Sequence, residues 1–244
     1  MSKIRYIFIT LSVLAVCGYF IWSLGFFVRG KMDGLCEEIR IVVCDSSDLN
    51  FVSTDEVRSI LKANGLYFEG HDLMDVETYE IEDVIKSHVM VKTAECYKTP
   101  SNNVVIELTQ RIPKYRVIGN ENYYVDTDRN PIPTTSKCAV YVPVVTGFVD
   151  HEMAVNELFD FVSYLDDSSF FQSMFTQIYV CENKKIELVP RIGNHVVLLG
   201  TLDEDYKNRL AKLKKLYVDG FSEIGWHQYK TIDLQYKGQV VCRK

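Results

Sequence analysis

One uncharged segment near the amino terminus constrains this chain more than any other feature. From Tyr6 to Val28 the sequence runs 23 residues without a charged side chain, and no comparable run follows in the 244-residue chain. A helix of about 20 apolar residues is long enough to cross a membrane. Lys3 and Arg5 precede the run, and positive flanks stay on the cytoplasmic side. The sequence therefore predicts a cytoplasmic tail over residues 1–5, a transmembrane helix over residues 6–28, and the remaining bulk outside the cytoplasm.

Two other interpretations of this segment fit less well. A cleaved signal peptide has a shorter apolar region, of about 7–15 residues, and ends in small residues. Phe27-Val28-Arg29 supplies no such exit. Leu14-Ala15-Val16-Cys17 is similar to a lipoprotein cleavage box, but Val16 is bulky and apolar sequence continues beyond Cys17. An uncleaved anchor is the interpretation that we favour.

The charges divide the chain at the same place. Four of the 27 Lys and Arg residues precede residue 32 and none of the 33 Asp and Glu residues does, so residues 32–244 carry a net charge of −10. An acidic body is a poor ligand for nucleic acid. Its roughly 210 residues suffice for one or two ordinary domains, each with its own core.

Six of the seven cysteines follow the uncharged segment, and they can be either disulfide-bonded or free thiols. Six cysteines can pair in 15 ways, so their spacing selects no disulfide pattern. No C-x-x-C motif occurs, which argues against a redox or zinc site. Most of the six interrupt strand-like runs, which favours free thiols that pack as small apolar groups. They are Cys36, Cys44, Cys96, Cys138, Cys181 and Cys242.

The first block after the anchor predicts a strand, two helices and two further strands. Ile39–Cys44 is rich in β-branched residues, and Ser53-Thr54-Asp55-Glu56 is a capping box that opens a helix. Apolar residues at helical spacing around Ile81 predict the second helix. Val89–Lys98 and Val104–Thr109 flank a turn-rich loop, so they predict a hairpin. The order is β-α-α-β-β, in a unit of about 70 residues.

The second block predicts a mainly antiparallel β domain with two helices. One helix runs from about His151 to Leu165, and Thr201-Leu202-Asp203-Glu204 is a capping box for another that ends before Gly220. The predicted strands are Tyr115–Ile118, Asn122–Val125, Ala139–Val145, Phe175–Cys181, Lys185–Val189, His195–Leu199, Tyr229–Tyr236 and Gln239–Arg243. The fold class is therefore α+β.

The sequence contains no motif for catalysis, a cofactor or a metal. His151-Glu152 begins like a zinc-protease helix, but Val155 stands where the second histidine is required. No phosphate-binding loop, dinucleotide motif or nucleophile elbow occurs. We therefore predict a protein that is not an enzyme and has no cofactor.

A series of short motifs carries a resemblance to a known family. The strand Val104–Thr109 runs into Gln110-Arg111-Ile112-Pro113. The motifs that follow in order are Tyr123-Tyr124-Val125-Asp126, Pro131-Ile132-Pro133, Val142-Pro143-Val144-Val145-Thr146-Gly147 and Ile232-Asp233-Leu234-Gln235-Tyr236. Together with the anchor, this order resembles the bacterial cell-division family FtsQ, called DivIB in Gram-positive bacteria. The resemblance covers nearly the whole chain.

The resemblance implies both an architecture and a role. It implies a linker over residues 29–37, a POTRA domain over 38–111 and a β domain over 112–244. The role is that of a non-enzymatic scaffold of the divisome in the inner membrane at the septum, which binds FtsB and FtsL and helps control septal peptidoglycan synthesis. Carried over by position, the partner-binding residues are Tyr236, Lys237, Gly238, Gln235, Arg209 and Val240, with Arg209 as a salt-bridge donor to an acidic partner.

Two departures from the family pattern and two alternatives accompany this interpretation. Gln235 stands where the family usually has arginine, and Arg129-Asn130 replace the customary glycine of an Asp-x-x-Gly turn. One alternative is a POTRA-bearing translocation or envelope assembly factor, but no series of amphipathic barrel strands follows here. The other is an anchored envelope enzyme whose catalytic residues converge only in space.

Overall fold

The computed structural model describes residues 12–23, 34–44, 51–134 and 140–244. The chain divides into two compact units, one built mainly from residues before 109 and the other mainly from residues after it. Each unit has its own β-sheet.

Residues 12–23 form a helix whose side chains are mostly exposed. Within the described ranges, no helix is both long enough and apolar enough to cross a membrane. The predicted transmembrane segment 6–28 extends past this helix at both ends, and residues 6–11 and 24–28 lie outside the described ranges. The transmembrane helix therefore stays a prediction.

The first unit has the β-α-α-β-β order that the sequence predicts. In the sheet, β3 lies between β1 and β2, and β1 runs parallel to β3 with Ile41 opposite Ile106. The elements are β1 (Ile39–Val43), α1 (Thr54–Ala63), a 3-10 turn (Leu73–Asp75), α2 (Thr78–Lys86), β2 (Val91–Lys98) and β3 (Val104–Gln110).

The first capping box forms as predicted. Ser53 precedes α1 in extended conformation, and its Oγ accepts a hydrogen bond of 3.1 Å from the backbone N–H of Glu56. Such a cap satisfies one of the donors that the first turn of a helix leaves unpaired. The apolar faces of the two helices are buried at Val57, Leu61, Ile81 and Ile85.

The second unit is built on a mixed sheet of nine strands with helices beside it. The strands are β4 (Pro113–Ile118), β5 (Asn122–Asp126), β6 (Pro131–Pro133), β7 (Val144–Gly147), β8 (Phe175–Val180), β9 (Ile186–Pro190), β10 (Val196–Gly200), β11 (Thr231–Asp233) and β12 (Val241–Arg243). The strands lie in the order β12-β11-β10-β9-β8-β7-β4-β5-β6. Pairs β4–β7, β7–β8 and β10–β11 are parallel, and the other pairs are antiparallel.

Three helical segments pack against this sheet. The first, α3, spans His151–Met153, a π turn (Ala154–Leu158) and Phe159–Asp166. The short α4 (Ser169–Met174) follows it. Next, α5 (Tyr206–Lys215) continues through a π turn (Leu216–Gly220) into α6 (Phe221–Ile224). The sequence predicts two helices here and misses α4, because six residues are too few for a periodic apolar pattern to stand out.

The core of the second unit lies on one face of the sheet. Alternate strand residues such as Val117, Ile178, Leu188 and Val197 are buried against the helices. Their neighbours along the strands, such as Gln177, point to the opposite face and are partly or fully exposed. This alternation has the period of two that a sheet with one covered face requires.

The second capping box does not form, so that prediction is wrong. The hydroxyl of Thr201 donates to the carboxylate of Asp203 at 2.9 Å, and α5 begins only at Tyr206. Asp203 is also the acceptor for Arg209, which lies in α5. The predicted end before Gly220 is wrong as well, because helical structure continues to Ile224, and Gly225 follows with a φ of 84°.

Arg129 adopts the backbone conformation that a glycine would take in the turn between β5 and β6. Its φ is 67°, in the left-handed region. The side chain is held in place, since its guanidinium lies 4.2 Å from the ring centroid of Phe159 and donates to the carbonyl of Val155 at 3.0 Å. These contacts offset the cost of about 1–2 kcal/mol that this conformation carries for a residue with a Cβ.

The cysteines among the described residues are all free thiols, as the strand-like contexts favour. Cys36 and Cys96 are buried, whereas Cys44 is exposed. Burial raises the thiol pKa of Cys36 and of Cys96 above the usual value, so both thiols stay protonated at neutral pH. Cys138 lies outside the described residues.

Candidate partner-binding edge

The two edges of the nine-stranded sheet differ in their capacity to pair with another strand. At one edge, Pro131 and Pro133 occupy two of the three positions of β6, opposite Val125 and Tyr123. Proline has no backbone N–H and therefore blunts an edge. At the other edge, β12 contains no proline and, within the described part of the chain, pairs on one side only, with β11. This edge can accept an additional strand.

Strand β11 fixes the position of this open edge. It pairs in parallel with β10, with Ile232 opposite Val197, and in antiparallel fashion with β12, with Ile232 opposite Cys242. Ile232 and Leu234 are buried in the core, and the N–H of Leu234 donates to the carbonyl of Leu198 at 3.0 Å. The edge is therefore attached to the core by the strand beside it.

An ion pair connects the two terminal strands. Asp233 of β11 is only 4% exposed, and its carboxylate lies 3.5 Å from the guanidinium of Arg243 in β12. The same carboxylate accepts a hydrogen bond of 3.1 Å from the N–H of Gln235. The hydrogen bond to Gln235 thus holds the start of the turn after β11, and the ion pair with Arg243 holds β12 beside β11.

Four of the predicted partner-binding residues lie together at the turn between β11 and β12. Gln235, Tyr236, Lys237 and Gly238 are all exposed, and Tyr236 is 45% exposed. Gly238 has a φ of 80°, and a Cβ there would meet no atom within 4 Å, so the glycine serves the backbone conformation and not a close approach. Val240, the fifth, is partly buried and packs against the core.

A lysine that the sequence analysis missed lies beside this turn. Lys185 precedes β9, and its Nζ donates to Oε1 of Gln235 at 2.8 Å. The two residues are 50 positions apart, and no local pattern in the sequence connects them. The contact places an ammonium group next to the Gln235 side chain.

Arg209, the sixth predicted residue, has its guanidinium committed within the fold. The residue is 8% exposed, and its guanidinium donates to the carboxylate of Asp203 at 3.2 Å and to the carbonyl of Thr201. The hydrogen bond from Arg209 to the carboxylate lowers the pKa of Asp203. Arg209 therefore holds the loop after β10.

Gly200, at the end of β10, packs closely on Gln235, since a Cβ on Gly200 would lie 3.0 Å from Cγ of Gln235.

An aromatic cluster surrounds the buried Tyr217. Nε2 of His195 and the hydroxyl of Tyr217 are hydrogen-bonded at 2.6 Å, and both residues are buried. The rings of Phe221 and Trp226 pack on Tyr217 at centroid distances of 5.3 and 5.0 Å. Burial, and to a lesser extent the nearby His227, lowers the pKa of His195. The histidine is therefore neutral at neutral pH.

Comparison with protein families matches both units. A POTRA-like domain model matches residues 34–109, and a model described as FtsQ/DivIB, C-terminal related, matches residues 112–243. The chain belongs to the FtsQ/DivIB family. No curated protein matches it. FtsQ/DivIB proteins are non-enzymatic scaffolds. The combination of a POTRA-like unit with the FtsQ/DivIB unit fits a scaffold role in the divisome. The family suggests other divisome proteins as partners.

Proposed function

We propose that this chain is a single-pass scaffold of the bacterial divisome. In this proposal residues 6–28 anchor it in the inner membrane, and the POTRA domain (38–111) and β domain (112–244) lie outside the cytoplasm at the septum. It binds FtsB- and FtsL-type partners through its C-terminal strands and so helps control septal peptidoglycan synthesis. Membership of the FtsQ/DivIB family supports the divisome role.

The difference between the two sheet edges is the observation that carries the proposal. Prolines at positions 131 and 133 protect β6 from pairing, whereas β12 has no such protection. Unprotected edges are a hazard for aggregation, and natural proteins usually cover or blunt them. An edge left open in a scaffold protein is therefore suited to binding a partner's strand by β-augmentation.

Side chains around β12 supply the specificity that backbone pairing lacks. A strand added to β12 runs past the exposed turn of Tyr236, Lys237 and Gly238. Lys185 and the exposed Lys237 add positive charge near the same edge. Tyrosine is a common anchor in protein interfaces, and charged groups around it steer association with a partner of opposite charge. We propose Tyr236 as the main side-chain contact, with Lys185 and Lys237 interacting with acidic groups of the partner.

Co-purification of the partner pair with the full-length chain tests this function. Tyr236→Ala and deletion of residues 239–244 are each expected to abolish recovery of the FtsB/FtsL pair from membranes. Tyr79→Ala is the matched control, because Tyr79 is a 59% exposed tyrosine of the first unit. Recovery of the partners at the wild-type level with both terminal variants would refute the terminal-edge proposal.

Proline substitutions in β12 test whether the partner pairs with the backbone. Successive residues of a strand direct their N–H groups to opposite sides. One of the two variants Val241→Pro and Cys242→Pro therefore removes a donor that faces β11, and the other removes a donor that faces outward. The variant that loses the outward donor is expected to keep its fold, measured by circular dichroism, and to lose the partner. Normal partner recovery with that folded variant would exclude backbone pairing at β12.

A further inference from the structure

The second unit contains a groove that lies away from β12. Its volume is about 470 Å³ and its lining includes the buried Pro113 and Phe175 and the exposed Tyr141 and Arg191. The strands that contribute to it are β4 and β8. Strand β8 is separated from β12 by four strand spacings, which amounts to roughly 19 Å. A ligand in the groove would therefore not be the strand that pairs with β12.

One side of the groove is fixed and electrically neutral. Lys114 and Asp166 form an ion pair of 2.9 Å between Nζ and Oδ2, and their side chains are 17% and 26% exposed. The Lys114 ammonium also lies 5.5 Å from the ring centroid of Phe159, so it is held by two contacts. This pair lines the groove without leaving a free charge.

The other side of the groove presents an unpaired positive charge. The guanidinium of Arg191 lies 5.4 Å from the ring centroid of Tyr141, and Tyr141 is itself 81% exposed. Within the described part of the chain no carboxylate pairs with Arg191. The guanidinium therefore keeps its donors for a ligand, and its planar shape matches a carboxylate in two parallel hydrogen bonds.

We propose that this groove binds an acidic linear peptide segment of a partner protein. A carboxylate of the peptide pairs with Arg191, and an adjacent apolar side chain packs on Tyr141 and Pro143. The volume falls in the range of about 300–1,000 Å³ typical of small binding pockets. The uncompensated arginine favours an anion, which a neutral glycan does not supply. Nucleic acid is disfavoured because it would bring a phosphate at every nucleotide to a body of net charge −10, whereas a peptide can supply the single carboxylate that Arg191 pairs with.

Selection of peptides from a phage-displayed random heptapeptide library on the purified full-length chain tests this proposal. We expect an acidic consensus with one apolar residue. The synthetic consensus peptide should bind Arg191→Gln at least about 10-fold more weakly, the loss expected when one charged hydrogen-bonded contact is removed. Lys184→Gln is the matched control, because it removes an exposed cation that lies neither in the groove lining nor in the turn between β11 and β12, and it should leave binding of this peptide unchanged. Circular dichroism checks that both variants are folded.

Three results would overturn the proposal. The first is the absence of an acidic consensus, and the second is a consensus peptide that binds Arg191→Gln as tightly as wild type. The third is saturable binding of N-acetylglucosamine oligomers that Tyr141→Ala abolishes, which would assign the groove to a glycan. A consensus peptide whose binding fails only with Lys185→Gln would place it at the terminal edge, and would overturn the groove proposal while leaving the proposed function intact.

Discussion

Arg111 donates a hydrogen bond of 2.9 Å to the carboxylate of Asp126, which is completely buried. The other carboxylate oxygen of Asp126 accepts backbone N–H groups from Asp128 at 2.9 Å and Asn130 at 2.7 Å. The arginine of the Gln110-Arg111-Ile112-Pro113 motif and the aspartate of the next motif are therefore parts of one structural element. This contact gives both motifs a structural role in the second unit.

Removing the buried carboxylate is expected to destabilise the second unit. Asp126→Ala should lower the free energy of unfolding by about 3 kcal/mol, since it leaves Arg111 and two backbone donors unsatisfied. Urea unfolding followed by Trp226 fluorescence measures this, in a Trp22→Phe background that leaves one tryptophan. Asp128→Ala is the control and should cost less than about 1 kcal/mol, because Asp128 forms a partly exposed ion pair with Lys92. Equal costs would contradict the structural role of Asp126.

Two glycines with positive φ are expected to respond differently to alanine. A Cβ on Gly147 would lie 2.2 Å from the carbonyl oxygen of Val180, so Gly147→Ala must displace β7 from β8. We expect a loss of at least about 2 kcal/mol in the free energy of unfolding. Gly238→Ala meets no atom and should cost about 1 kcal/mol, from backbone conformation alone. Urea unfolding compares the two, and a larger cost at Gly238 would contradict the geometry.

Acidification is expected to destabilise the second unit through His195. In the unfolded chain the pKa of a histidine is about 6.5. Burial lowers the pKa of His195 in the folded state. The unfolded state therefore binds more protons between these two pKa values, so the stability present above about pH 6.5 is lost as the pH falls. The slope of unfolding free energy against pH, measured from pH 8 to 5, should decrease in His195→Phe. His71→Gln, which alters an exposed histidine, should keep the wild-type slope.

Lys185 is expected to contribute to partner binding if the proposed function holds. Lys185→Gln removes the ammonium group beside Gln235 and should weaken binding of the partner pair about 3- to 5-fold, the range for a solvent-exposed charge. The salt dependence of binding should also decrease. Lys184→Gln is the matched control, because this adjacent lysine is also exposed but is directed to Asp150. Surface plasmon resonance at two salt concentrations measures both, and a larger effect at Lys184 would contradict the assignment.

Arg209 is expected to affect stability through Asp203 and not through a direct partner contact. Arg209→Gln should lower the free energy of unfolding by about 1.5–3 kcal/mol, because a buried charged hydrogen-bond donor is lost. In a double-mutant cycle with Asp203→Asn the coupling should be about 1 kcal/mol. Zero coupling, together with a loss of partner binding in a fully folded Arg209→Gln variant, would favour the salt bridge to a partner.

Predictions from the sequence agree with the structure where the determining interactions are local. The cap at Ser53 requires residues only three positions apart, and the β-α-α-β-β order follows from periodicity within each segment. The second capping box has the same local pattern but fails, because the hydroxyl of Thr201, the predicted cap, pairs with Asp203 and α5 begins only at Tyr206. A local pattern predicts structure only when no distant or neighbouring group competes for the same atoms.

The sequence by itself determined the uncharged run from Tyr6 to Val28, the family resemblance and the break between the last two strands near the carboxyl terminus. Only the tertiary structure decided that Lys185 lies beside Gln235, that Arg209 is held within the fold, and that β6 and β12 form the two edges of one sheet. Periodicity and turn chemistry act between near neighbours in the chain. Strand order and side-chain pairing over 50 residues depend on packing across the whole sheet, which no local pattern encodes.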